Sequence, residues 1–209
     1  MDYNSIKTDI RNLTEKIDGR TLAVLGFLFY SSIILNYPYK NYLTVDEPYY
    51  YDQALKIREG IFVNFENTQP FAYPILLALT ITNDIIILRL LNAAIFSISI
   101  YLLFNLTSKY FDKKTAQLTV LIFAINPISI DVATLLFTEG LFLIFLFGSF
   151  ILYERLKQEK KPFFTSLLLG VTMGLAAETR VVGIFLPFFF LLLAVLDKKI
   201  KVFIPAFII

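Results

Sequence analysis

The chain has 209 residues, of which 57% are hydrophobic, with 22 Phe and a mean hydropathy of +0.68, a composition that excludes an ordinary soluble domain. Cys, His and Trp are absent and the formal net charge is +2. There is therefore no disulfide framework, no thiolate or imidazole metal site and no histidine base, so acid-base work falls to carboxylates.

Residues 1–20 are polar, with Ile6, Ile10, Leu13 and Ile17 on one helical face, which predicts a cytoplasmic amphipathic segment lying on the membrane surface. Mixed charges precede the first apolar run and Asn36-Tyr37-Pro38 follows it, so residues 21–37 read as a retained first span and not as a signal peptide. Residues 38–84 form the first external loop. Within it, Pro48 suits a first helical turn and Gly60 a stop, predicting a short helix over residues 48–59. Residues 71–82 are too few to span and predict a second interfacial or re-entrant helix.

A bilayer core of about 30 Å takes roughly 20 helical residues. Residues 85–106 fit one crossing. Residues 115–153 would extend roughly 58 Å as one helix, so they must reverse, and Asn126-Pro127, Asp131 and Glu139 mark where. Residues 162–196 would extend roughly 52 Å, and Glu178-Thr179-Arg180 marks their reversal. The expected fold is all-α, a polytopic transmembrane bundle of about six crossings plus short interfacial helices. The apolar run over residues 202–209 is too short to cross, so the membrane module over residues 21–209 is expected to continue into a carboxy-terminal part.

Alternating crossings place Lys7, Arg11, Lys16, Arg20, Lys109, Lys113, Lys114, Arg155, Lys157, Lys160, Lys161, Lys198, Lys199 and Lys201 on the side of the amino terminus. The positive-inside rule makes that side cytoplasmic. Lys40, Lys56, Arg58, Arg89 and Arg180 remain outside, with Asp46, Glu47 and Glu139. Each has a plain alternative: Asp46 and Glu47 suit a helix amino terminus, Thr138-Glu139 suits a cap with its first-turn acid, and Arg180 suits a snorkelling anchor. The sequons at Asn12 and Asn105 fall on the cytoplasmic side and are discounted.

A resemblance rests on an ordered set of short pieces. Asp-Glu followed by aromatics (Asp46 to Tyr51) comes first, then Gln69-Pro70-Phe71-Ala72-Tyr73-Pro74, then Leu88-Arg89-Leu90-Leu91-Asn92-Ala93. Ala124-Ile125-Asn126-Pro127, Leu136-Phe137-Thr138-Glu139-Gly140 and Gly174-Leu175-Ala176-Ala177-Glu178-Thr179-Arg180 follow. This order resembles the amino-terminal membrane module of the GT-C glycosyltransferases, in the branch holding dolichyl-phosphate-mannose protein mannosyltransferases and lipid A aminoarabinose transferases.

The resemblance implies an integral membrane enzyme that moves one sugar, a hexose or pentose, from a polyprenyl- or dolichyl-phosphate carrier to an acceptor protein, glycan or lipid. The reaction is expected on the lumenal or extracytoplasmic face of an ER membrane or a prokaryotic plasma membrane. It assigns the catalytic acid to Asp46, with Glu47 its neighbour and Glu139 in the same cavity. Arg180, Arg89 and Tyr73 become the substrate-binding candidates. The chemistry suits those residue types: a carboxylate takes the proton of an attacking hydroxyl, and a guanidinium meets charge growing on the leaving phosphate. A divalent ion held by Asp46, Glu47 or Glu139 is compatible, although carboxylates without histidine specify no metal. An oligosaccharyltransferase-like GT-C enzyme and a non-catalytic transporter or scaffold are the alternatives. The latter predicts inverted repeats, of which the sequence has no convincing example.

Overall fold

The computed structural model describes residues 17–38, 40–61, 70–80, 82–159 and 162–207. The expected surface segment over residues 1–20 thus lies, up to residue 16, outside the described residues. Among the described residues the chain is all-α. In order come α1 (Gly19–Asn36), α2 (Glu47–Arg58), α3 (Ala72–Ala78), α4 (Ile85–Tyr110), α5 (Lys113–Ile125) and α6 (Pro127–Thr134). Then follow α7 (Glu139–Leu156), α8 (Phe163–Thr179), a 3-10 turn (Val181–Phe185), α9 (Leu186–Leu196), α10 (Ile200–Phe203) and a last 3-10 turn (Ile204–Phe207).

Polar residues at the breaks between apolar runs start the helices by satisfying their orphan amides. Asp18 accepts from the Thr21 amide at 2.9 Å, Asp84 from Ile86 at 2.8 Å, Asp112 from Thr115 at 2.8 Å and Asn126 from Ile128 at 2.9 Å. Pro127 supplies the first-turn proline of α6. The same Asn126-Pro127 break bends α5 against α6 by 67°.

Two helices, α1 and α4, are long and apolar enough to cross a bilayer, or three if the bent α5–α6 pair is one span. The 18-residue α7 reaches about 27 Å and carries Glu139, Glu154 and Arg155 near its ends. Phe163–Thr179 and Val181–Leu196 are apolar and shorter still. These later helices are thus shorter or more charged than α1 and α4.

The long helices alternate in direction. Gly19 faces Phe104 while Tyr30 sits edge-on to Phe96, so α1 and α4 are antiparallel. Gly140 packs on Phe96 and Lys109 pairs with Glu154 at 3.1 Å, so α7 runs parallel to α4. Thr138 meets Arg180 at one end and Glu159 meets Thr165 at the other, so α8 returns antiparallel to α7. Lys109, Glu154, Lys157 and Asp197 consequently meet at one end of the bundle. Glu47, Arg89, Glu139 and Arg180 gather at the other.

Lipid is as apolar as leucine, so close packing and interhelical hydrogen bonds hold such helices together. The Ser149 hydroxyl donates to Thr172 across α7 and α8 at 3.0 Å, a contact worth about 0.6 kcal/mol in this setting. Gly183 and Gly170 permit backbone contact with the carboxy-terminal segments. An added Cβ would run into the Ala176 carbonyl at Gly183 and the Ala206 carbonyl at Gly170. Large apolar side chains such as Leu28, Leu121, Phe188 and Leu192 are left facing outward, where lipid would meet them.

The two loop helices are present and shifted. The helix expected over residues 48–59 is Glu47–Arg58, and the one expected over residues 71–82 is only Ala72–Ala78. Arg58 explains the shortening. Its Nη2 donates to the carbonyls of Leu77 at 2.8 Å and Thr82 at 2.9 Å, and its Nε to Ala78 at 3.1 Å. A guanidinium at a helix carboxy terminus satisfies the orphan carbonyls and complements the dipole, so α3 ends there.

Candidate active site

Asp46 sits at the amino terminus of α2. Val45 before it has φ 53°, a left-handed conformation that a β-branched side chain adopts only under strain. The Asp46 carboxylate makes no capping hydrogen bond to α2, and among the described residues no ion pair engages it. Asp46 thus holds the N-cap position of α2 without a side-chain cap bond, leaving only its charge to complement the helix dipole. Its carboxylate stays exposed at a cleft.

Glu47 has the opposite surroundings, with 0% of its surface exposed. Its Oε1 accepts from Arg89 Nε at 2.9 Å and the Leu136 amide at 2.9 Å. Its Oε2 accepts from Arg89 Nη2 at 2.6 Å, the Thr44 amide at 2.8 Å and the Thr44 hydroxyl at 3.0 Å. Arg89 is also buried and donates two further hydrogen bonds, to the carbonyls of Lys40 at 3.0 Å and Tyr42 at 2.8 Å. This bidentate pair is a clamp joining the loop before α2, the first turn of α4 and the turn between α6 and α7.

Tyr73 is also fully buried and donates to Asn92 Oδ1 at 3.0 Å. Asn92 in turn donates to the carbonyls of Val132 at 2.7 Å and Leu135 at 2.6 Å. The Tyr73 hydroxyl thus points into the packing of α3, α4 and the α6–α7 turn.

A cleft of about 400 Å³, within the usual range for small-molecule sites, opens beside Asp46. Glu139 begins α7 and Arg180 ends α8, and the two form an ion pair at its wall, each about one-third exposed. Arg180 Nη1 also donates to the Thr138 hydroxyl at 3.2 Å. Tyr50, one helical turn after Asp46, completes the polar lining, while Val181 and Val182 make an apolar rim beyond Arg180. Burial pushes the Tyr50 phenol up, with the neighbouring Glu139 and Asp46 charges adding to the shift.

A resident divalent ion fits this arrangement poorly. Glu47 is fully engaged by Arg89 and other donors, Glu139 is paired with Arg180, and among the described residues no three carboxylates come together. A larger groove of about 510 Å³ between α1 and α4 is nearly all apolar and lies away from these acids. The smaller, polar cleft is the one that holds Asp46, Glu139 and Arg180.

The family model for dolichyl-phosphate-mannose-protein mannosyltransferase matches residues 69–209, more than half of the chain. The chain belongs to this family. It is a GT-C membrane glycosyltransferase family, in keeping with the apolar all-α architecture. The matched stretch holds Tyr73, Arg89, Glu139 and Arg180, whereas Asp46 and Glu47 precede it. No curated protein and no solved structure matches the chain.

Sequence reasoning did not single out Tyr50 and Thr138, which line the cleft, or Asn92 and Arg58, which tie together the helices around it. Tyr50 had a usable signal, because the i, i+4 spacing from Asp46 places both on one helical face. Arg58 had none, since its partners are the carbonyls of another helix.

Proposed function

We propose that the chain catalyses inverting transfer of a single sugar from a polyprenyl- or dolichyl-phosphate carrier to an acceptor hydroxyl, on the extracytoplasmic or lumenal face. The observation that carries this reading is one cleft lined by a carboxylate, Asp46, with no ion pair among the described residues, and a guanidinium, Arg180. The family's name supports mannose as the sugar, a dolichyl-phosphate carrier and a protein acceptor.

In this mechanism Asp46 removes the acceptor proton as the acceptor oxygen bonds to the anomeric carbon. The bond from that carbon to the phosphate oxygen breaks, and its electron pair leaves with the lipid phosphate. Arg180 meets the growing charge, stabilising the transition state more than the ground state. Glu139 holds Arg180 in place until phosphate arrives, and the apolar Val181 and Val182 offer a path for the prenyl chain. Attack opposite the leaving group inverts the anomeric centre. Glu47 and Arg89 act as positioning residues for Asp46, because neither reaches the cleft.

The membrane frame is six crossings with a cytoplasmic amino terminus. The lysine distribution, the alternating helix directions and the end-to-end separation of charged clusters support it.

Replacing Asp46 by Asn tests the reading. In the full-length protein with dolichyl-phosphate-mannose as donor, Asp46→Asn should cut turnover by about 100-fold or more while donor binding stays near wild type. Near-normal turnover would remove Asp46 from the chemistry.

A further inference from the structure

Resting on that reading, we infer that Asn92, which lies outside the cleft, is a positioning residue for the reaction: it sets where Arg180 stands relative to Asp46. The two sides of the cleft come from different parts of the fold. Asp46 precedes α2, whereas Thr138 and Glu139, which hold Arg180, follow the turn that joins α6 to α7. One peptide unit of that turn, between Leu135 and Leu136, connects the two sides. Its amide, on Leu136, donates to Glu47 Oε1 at 2.9 Å, and Glu47 is the chain neighbour of Asp46. Its carbonyl, on Leu135, accepts from Asn92 Nδ2 at 2.6 Å. A rigid peptide plane gripped at both polar ends is held in rotation as well as in position. Glu139 follows Leu136 by only three residues, so the orientation of that plane passes directly to the ion pair with Arg180.

The chemistry of an amide side chain suits this place. Carbonyls only accept, so the Asn92 nitrogen must face Val132 and Leu135, at 2.7 and 2.6 Å, and its oxygen must face the Tyr73 hydroxyl, which donates at 3.0 Å. The Val132 and Leu135 carbonyls are among those that the carboxy terminus of α6 leaves without helical partners. Asn92 therefore closes α6 at the point where the chain turns toward Thr138. The side chain is fully buried, so its loss would leave both carbonyls unpaired away from solvent. The turn would then shift to find new partners, carrying Thr138 and Glu139 with it. Arg180, supplied by α8, would still meet the phosphate, but the sugar on that phosphate would stand displaced from Asp46. A misplacement of about 1 Å costs on the order of 100-fold in rate.

The test measures turnover and donor affinity of the full-length protein with dolichyl-phosphate-mannose, for Asn92→Ala, Asp46→Asn and the double variant. Asn92→Ala should cut turnover about tenfold or more while donor affinity stays within about threefold of wild type. In the Asp46→Asn background the same change should cost less than about twofold, because the base whose placement it disturbs is already gone. A merely structural role would lower turnover by the same factor in both backgrounds. That result, wild-type turnover for Asn92→Ala, or a donor affinity that falls as far as turnover would each overturn the assignment. Should Asn92→Ala fold poorly, Tyr73→Phe removes only the hydroxyl that orients the amide. It should cost about fivefold in turnover, the scale of one neutral hydrogen bond, and again only while Asp46 is present. No loss, or an equal loss in both backgrounds, would overturn the assignment as well. Near-normal turnover of Asp46→Asn alone would instead take the base out of the proposed function, a distinguishable failure.

Discussion

Glu47 and Arg89 illustrate how far a residue's type can be from its role. Two ionised groups removed from solvent are costly, and they persist here because five hydrogen bonds converge on the carboxylate oxygens and two carbonyls accept further guanidinium protons. Removing one partner leaves the other charged, buried and unpaired. Arg89→Gln and Glu47→Gln should each destabilise the protein by about 3–5 kcal/mol, read as a lowered melting temperature in detergent. The double variant should cost less than the sum of the singles, because the second change removes the charge that the first left stranded. Strict additivity would show that the pair is not the clamp described. The sequence made both residues visible as charged groups in an apolar chain. It could not pair them, since they are 42 positions apart and only the return of α4 beside the α2 loop brings them together. Asp46 stands next to Glu47 in the chain, but α2 turns the neighbours in different directions, one into the packing and one into the cleft.

The same division between local and distant causes governs the elements. Three helix starts depend on a residue adjacent to the helix it opens, Asp84, Asp112 and Asn126, and of these the sequence reading marks only the Asn126-Pro127 break. By contrast, α2, α7 and α8 open without a side-chain cap bond. The end of α3 was not legible, because its terminator, Arg58, belongs to α2. This cross-helix cap also fixes α2 against α3 and so holds the segment that begins at Asp46. Arg58→Ala should free the carbonyls of Leu77, Ala78 and Thr82 and loosen the pair, with a loss of about 1.5–3 kcal/mol expected for charge-assisted bonds. Hydrogen exchange should then rise in residues 47–58 and 72–80 while the core of α4 stays protected. Unchanged exchange in both loop helices would mean that apolar packing of Ala54, Leu77 and Leu88 holds them without the guanidinium.

At the scale of the molecule, topology gathers a site from residues spread from Asp46 to Arg180 by returning successive helix ends to one face. The alternation has a direct chemical test, because the chain contains no cysteine and any introduced one is a unique reporter. Glu59 and Gln158 are exposed at opposite ends of the bundle, Glu59 after α2 and Gln158 after α7. With the amino terminus cytoplasmic, Glu59→Cys should react with a membrane-impermeant maleimide added outside intact cells. Gln158→Cys should react only after permeabilisation. Neither position contributes to the cleft, and both variants should retain transfer activity, which certifies that the labelled protein has the native fold. Labelling of Gln158→Cys from outside, with Glu59→Cys protected, would put Asp46 and Arg180 on the cytoplasmic side and remove the extracytoplasmic placement of the reaction. Labelling of both from outside would mean that α7 does not cross, and the six-crossing frame would have to give way to one in which only α1, α4 and the bent α5–α6 pair span the membrane.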